Sequence, residues 1–364
     1  MILLWAVAGV AADLAVSAYS WKLPPGFPAP LVPEDNPMSD AKVDLGARLF
    51  GEKRLSVTGG YACASCHQPR LAYTDGRPRA LGATGEPTRH SAMSLTNVAY
   101  NAAFTWSDPS VRTLERQMLQ PLFNEHPVEM GLQGREAQVV ALLAADPDYK
   151  ASFIAAFPGD SAPISIDHVV KAIAAFERTL ISGRSSFDRY VFDDDQGALS
   201  TSSKRGMALF YSARVGCAQC HSGLNFSGPL RYQGRAHAAA SRANTGLGKM
   251  RVPTLRNVAL TAPYMHDGSI ATLDEVIEHY VAGGGRGADR RIRPLQLSVR
   301  EKQDLVAFLE SLTDQEFVGG DRPIAAAGTA QCEVAAPPVD SISSLPRLPL
   351  WAVLVSIASN ILLW

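Results

Sequence analysis

Four of the five cysteines sit in two identical frames, Cys63-Ala64-Ser65-Cys66-His67 and Cys217-Ala218-Gln219-Cys220-His221. Cys-x-x-Cys-His is the spacing of c-type haem attachment. Two thiols add across the vinyl groups of one porphyrin edge, and the imidazole that follows reaches the iron as an axial ligand. A redox dithiol does not need the histidine, and structural zinc more often draws ligands at other spacings. Two complete copies therefore point to two covalently bound c-type haems. Cys63, Cys66, Cys217 and Cys220 attach them, and His67 and His221 are the proximal iron ligands. Cys332 lies alone in a low-complexity stretch and has no part in this chemistry.

What such haems do depends on the sixth iron position: two strong axial ligands make an electron carrier, whereas an open face binds and activates a small molecule. Outside the motifs the chain offers His90, His126, His168, His237, His266 and His279, and methionines from Met38 to Met265. Nothing in their spacing selects one. Trp106 stands out differently, because the other tryptophans (Trp5, Trp21, Trp351 and Trp364) all fall towards the two ends.

The elements around the motifs repeat. Leu45-Gly46-Ala47-Arg48-Leu49-Phe50 precedes the first motif, and Arg205-Gly206-Met207-Ala208-Leu209-Phe210 precedes the second. Downstream, Ser94-Leu95-Thr96-Asn97-Val98-Ala99 is echoed by Thr254-Leu255-Arg256-Asn257-Val258-Ala259. Self-similarity at this scale predicts two structural units. Polar caps at Ser39, Ser165, Ser200 and Ser298 each open an amphipathic run, and strand-like alternation is nearly absent. The expected fold is mainly α: two cytochrome c-like domains related by an internal repeat, one haem each. Residues 19–195 form the N-terminal haem domain and residues 196–320 the C-terminal one.

The 364 residues suffice for two cores, and 46% hydrophobic with 19% charged composition reads as globular. A net charge of −1 gives no reason to expect a nucleic acid or an anionic membrane as partner. Residues 1–18 read as a signal peptide, an apolar run ending in Val16-Ser17-Ala18, although no basic residue precedes it. Export to the periplasm suits haem attachment, which takes place outside the cytoplasm. Residues 321–364 are a linker-like stretch and an apolar tail, Leu348–Trp364, barely long enough to span a bilayer. Membrane contact is expected only through that tail.

The ordered pattern continues through Thr105-Trp106, Gln117, Pro121, Val128-Glu129-Met130-Gly131, Pro253-Thr254-Leu255-Arg256-Asn257 and Ala262-Pro263-Tyr264-Met265-His266-Asp267-Gly268. Over residues 38–316 it resembles the bacterial dihaem cytochrome c peroxidase superfamily. Two departures are informative. The loop Gln68–Gly85 has no histidine where the peroxidases supply a distal ligand, and Tyr280 stands where they supply a methionine. That combination is similar to the MauG-like members, which use peroxide to oxidise another protein. Leu23–Pro30, Pro121–Gly131 and Pro263–Leu273 resemble their MbnH branch, paired with the small copper-binding protein MbnP.

The resemblance implies an open, high-spin first haem on His67, with Glu129 as proton carrier, Gln117 orienting hydrogen peroxide and Pro121 shaping the pocket. It implies a low-spin second haem held by His221 and Tyr280, with His279 and Met265 as fallback ligands. Trp106 would relay electrons between the haems, and a calcium ion would lie near Ser91, Arg251 and Pro253. The expected activity is conversion of a tryptophan of an MbnP-like partner to kynurenine. The alternatives are an ordinary dihaem cytochrome c peroxidase and a non-enzymatic electron-transfer cytochrome.

Overall fold

The computed structural model describes residues 19–228, 242–244, 249–285 and 288–320. The signal-peptide reading of 1–18, the tail 321–364 and Cys332 lie outside the described residues. Among those described, the chain folds into eleven α-helices. The first six are α1 (Asp40–Phe50), α2 (Cys63–Cys66), α3 (Leu114–Phe123), α4 (Glu136–Ala144), α5 (Pro147–Ala156) and α6 (Ile166–Arg178). The others are α7 (Ser186–Phe192), α8 (Thr201–Phe210), α9 (Leu273–Val281), α10 (Val299–Glu310) and α11 (Gln315–Gly319). The one sheet among the described residues is an antiparallel pair, β1 (Arg242–Asn244) and β2 (Lys249–Arg251), with Ala243 opposite Met250. The mainly α expectation holds.

All four serine caps form. Ser39, Ser165, Ser200 and Ser298 each accept from the backbone N–H three residues on, satisfying a donor that the first helical turn leaves open. The helices they start pack in matching pairs, α1 against α6 and α8 against α10. A glycine sits at each crossing. A Cβ on Gly46 would fall 2.0 Å from the Ala172 carbonyl oxygen, and one on Gly206 would fall 1.8 Å from that of Asp304. Only glycine lets the backbones approach this closely. Beside each crossing an aromatic pair closes the contact, Phe50 with Phe176 at 5.2 Å and Phe210 with Phe308 at 5.1 Å.

Each crossing anchors its own apolar core. One gathers Leu45, Leu49, Phe50, Tyr73, Met118, Phe153 and the inner face of α6. The other gathers Phe187, Met207, Phe210, Phe226, Ile277 and Phe308. Phe317 of α11 returns from the C-terminal end to pack in the first core. A small cluster of Phe27, Tyr100 and Leu224 meets the second core through Phe192, and the Tyr100 hydroxyl donates to Pro28 O at 2.7 Å.

The halves join through equivalent residues. Asn97 and Asn257 both adopt left-handed backbone, φ 55° and 59°, where asparagine is among the few tolerated side chains. Their backbone N–H groups donate to Leu180 O and Leu312 O. Asn97 Nδ2 donates to Ser182 O, Asn257 Oδ1 accepts from Asp314 N, and Asp314 Oδ2 accepts from Ser182 Oγ and Gly183 N. This buried network ties the two halves together along the seam.

Candidate haem sites

Each motif opens onto a cavity. The first, about 530 Å³, is lined by Cys63, Cys66 and His67 and also by Trp106, Gln117, Pro121 and Glu129. The second, about 310 Å³, is lined by Cys217, Cys220, His221, Arg251, Pro253 and Tyr280. Ser91, Met93, Trp106 and Arg251 line both, so they form the wall between them. Every residue expected to act thus faces one cavity or both. Met265 and His266 line the second cavity as well, whereas His279 does not.

Both motif histidines are aimed in the same way. His67 Nδ1 bonds the Tyr73 carbonyl at 2.8 Å, and His221 Nδ1 bonds that of Phe226 at 2.8 Å. Tyr73 and Phe226 are buried aromatics with φ 61° and 48°, an uncommon conformation that turns each carbonyl toward its imidazole. A proton held on Nδ1 leaves Nε2 as the ligating atom, the usual way a second partner orients a metal-bound histidine. Burial lowers both imidazoles below their usual range, so they are neutral and able to ligate.

The thiols argue against a redox dithiol. Burial pushes Cys63 and Cys66 up to about 12 and Cys217 up to about 11, opposite to the shift that activates a reactive cysteine.

Glu129 reaches the first cavity on a loop that three backbone bonds pin in place: Met130 N to Pro121 O at 2.9 Å, Leu132 N to Leu122 O at 2.8 Å, and Ala83 N to Glu129 O at 2.7 Å. Gly82 lets the neighbouring loop lie against it, because a Cβ there would meet the Val128 carbonyl at 1.8 Å. Burial alone raises the Glu129 carboxyl above the usual range. Gln117 and Pro121 lie one turn apart on α3, along the same wall.

The wall between the cavities is stitched through Trp106. Its Nε1 donates to Ser91 O at 3.2 Å, and its carbonyl accepts from Arg251 N at 2.8 Å. Ser91 N donates to His266 O at 2.9 Å, and Ser91 Oγ donates to Met265 O at 3.2 Å. Among the described residues no three His, Cys, Asp or Glu side chains cluster as a metal site. A cation near Ser91, Arg251 and Pro253 would draw on backbone oxygens and water.

In the sequence Arg251 stands out only as an expected neighbour of calcium. Its guanidinium is buried, touches Met93 Sδ at 3.3 Å through Nη2, and leaves Nε without a hydrogen-bond partner among the described residues. Burial alone lowers it to about 10. A buried cation facing two cavities calls for anions inside them, and haem propionates are carboxylates. With an Nε2-presenting histidine and a thiol pair on each wall, the donor set fits two haems.

Fold and sites together define a two-haem cytochrome c-type protein whose haem cavities share a wall. Residues 40–196 match the family described as di-haem cytochrome c peroxidase. The methylamine utilization protein MauG of Methylorubrum extorquens is 35% identical over 316 residues, 82% of this chain and 85% of MauG. Cytochrome-c peroxidase IdrP1 of Pseudomonas sp. (strain SCT) is 36% identical over 344 residues, 82% of this chain and 88% of that protein. A crystal structure of a MauG-like protein associated with microbial copper homeostasis aligns with TM-score 0.79 and 39% identity, covering 84% of this chain and 98% of that one. The chain belongs to the di-haem cytochrome c peroxidase and MauG family, and it is a haem-dependent oxidoreductase of the peroxidase type.

Proposed function

We propose that this enzyme uses hydrogen peroxide to oxidise a partner protein, converting a tryptophan of a small MbnP-like copper-binding protein to kynurenine. One observation carries the reading: Tyr280, at the position where the peroxidases supply a methionine, lines the second cavity together with His221. The 39% identity to a MauG-like protein associated with copper homeostasis supports the choice of partner.

The haems, joined to the chain by thioethers from Cys63, Cys66, Cys217 and Cys220, supply the iron that reacts with peroxide and stores its oxidising equivalents. His67 Nε2 and His221 Nε2 would hold the two irons. Gln117 orients peroxide by hydrogen bonding, and Pro121 shapes the pocket wall. The Glu129 carboxylate would accept a proton from one peroxide oxygen and return it to the other, the usual task of a general acid–base group. Tyr280 Oη would offer the second iron an anionic oxygen ligand, which favours oxidised states. Trp106 carries electrons across the wall. Ser91, Arg251 and Pro253 would offer calcium oxygen atoms on this reading. Residues 1–18 would direct export to the periplasm, where such a partner is met.

The test is to incubate the loaded enzyme with peroxide and the partner and to follow the partner by mass spectrometry. Kynurenine in place of tryptophan supports the reading. An unchanged partner, with rapid peroxide turnover fed by a reduced cytochrome, would identify an ordinary peroxidase instead.

A further inference from the structure

The fold makes residues 177 and 309 equivalent. Phe176 and Phe308 pack at Gly46 and Gly206, and Leu180 and Leu312 receive the backbone bonds of Asn97 and Asn257. The residue after each phenylalanine lines the cavity of its own half, but one is Glu177 and the other Leu309. Both are buried, with 6% exposure. A carboxyl therefore stands beside the first haem cavity where the second has a hydrocarbon.

Glu177 Oε2 has no hydrogen-bond partner among the described residues. The neighbouring cation, Arg178, is already shared with a second carboxylate, although its Nη1 has no hydrogen-bond partner among the described residues. Arg178 gives Nη2 to both carboxylate oxygens of Glu115 on α3. Lys42 on α1 donates to Asn36 Oδ1 and Pro37 O. Cys63 and His67 are neutral through burial, and Glu129 on the same cavity adds only a second acid. Burial pushes the Glu177 carboxyl up to about 8, with Arg178 opposing and Glu115 adding to the shift. An unbalanced buried charge is costly, so such a group gains or loses its proton when the charge beside it changes.

We propose that Glu177 is a positioning residue acting through the first haem: it binds a proton when that haem is reduced and releases it on reoxidation, while the second haem is not proton-linked. In the forward direction one electron from a reductant converts ferric to ferrous iron. One proton from water forms an O–H bond on the Glu177 carboxylate, so the cavity's net charge is unchanged. Oxidation reverses both transfers. The inference rests on the two haems alone and does not depend on what partner the enzyme oxidises.

Spectroelectrochemical titration of the loaded protein from about pH 6 to ~10 tests it. At fixed applied potential the ferrous-to-ferric ratio of the first haem should fall with rising pH, by up to about tenfold per unit, while that of the second stays flat. Glu177→Gln and Glu177→Leu, the latter copying the second half, should flatten the first haem too. A purely structural role would leave the slope in place. A flat wild-type response overturns the proposal without any variant, as does a slope that survives undiminished in either variant.

Discussion

Asn97 and Asn257 meet on one residue: Asn97 Nδ2 donates to Ser182 O at 2.9 Å, and Asn257 Nδ2 donates to Ser182 Oγ at 3.0 Å. Equivalent side chains of the two halves thus converge on a buried serine, which ties the haem cavities into one frame. Asn257 also accepts from Asp314 N at 2.7 Å. Asn257→Ala leaves that N–H unpaired, a loss of about 1–3 kcal/mol, and exchanges a side chain that tolerates left-handed φ for one that does not, for roughly 1–2 kcal/mol more. Asn257→Gly removes the bonds without the backbone strain. Denaturant midpoints should rank wild type above Gly and Gly above Ala. Equal midpoints for Gly and Ala would mean that the left-handed backbone carries no strain.

The glycines at the helix crossings make a second prediction. Gly206→Ala forces the α8 and α10 backbones apart, an overpacking cost of about 1–3 kcal/mol or more. Gly46→Ala does the same to α1 and α6. Each variant should lower haem content in its own half first, read from the haem-to-protein ratio and the spectrum that remains. Loss of both haems together in each variant would show that the halves assemble as one unit.

The motifs, the repeat and the four serine caps were legible because each is a local pattern. Cys-x-x-Cys-His needs five consecutive residues, and a cap needs its serine and the turn that follows. The mainly α class follows from the same local signals. Arg251 and Glu177 were not legible as partners of the haem cavities. A charged residue carries no mark in the sequence that separates a buried, unbalanced group from a solvated one. The repeat held a usable signal for Glu177. Extending it beyond Ala99 and Ala259 to Phe176-Glu177-Arg178-Thr179-Leu180 and Phe308-Leu309-Glu310-Ser311-Leu312 exposes the carboxyl-for-leucine exchange. Tyr280 and Glu129 came into view only through resemblance to a family.

Glu129 should set the acid limb of the peroxide reaction. A proton carrier must first be ionised to accept, and burial raises its carboxyl above the ordinary range. The rate of peroxide reaction should therefore rise with pH through that raised value and level off above it. Glu129→Gln cannot accept the proton and should slow the reaction by about 10²–10⁴-fold, as seen by stopped-flow spectroscopy. An acid limb unmoved in Glu129→Gln would assign the proton transfer to another group.

Arg251 places one positive charge against both cavities. A buried cation stabilises the less positive state of a neighbouring iron, so it raises the potential of each haem. Arg251→Gln keeps hydrogen-bonding capacity without the charge. Both potentials should shift downward together in a redox titration. A shift confined to one haem would mean that the guanidinium serves a single cavity.

Tyr280 is the residue on which the choice of function turns. It lines the second cavity from α9, a helix fixed at its start by the reciprocal Thr272–Glu275 cap. Tyr280→Phe keeps the ring and its packing and removes only the oxygen. If that oxygen ligates the iron, the second haem's electron paramagnetic resonance signal should change while haem content stays constant. Partner oxidation should fall, and the first haem should still react with peroxide, because Glu129 and Gln117 are untouched. Met265 and His266 line the same cavity and are the groups able to take the vacated position. A signal identical to wild type would show that the Tyr280 oxygen does not ligate the second haem, and the protein-oxidising reading would lose its carrying observation.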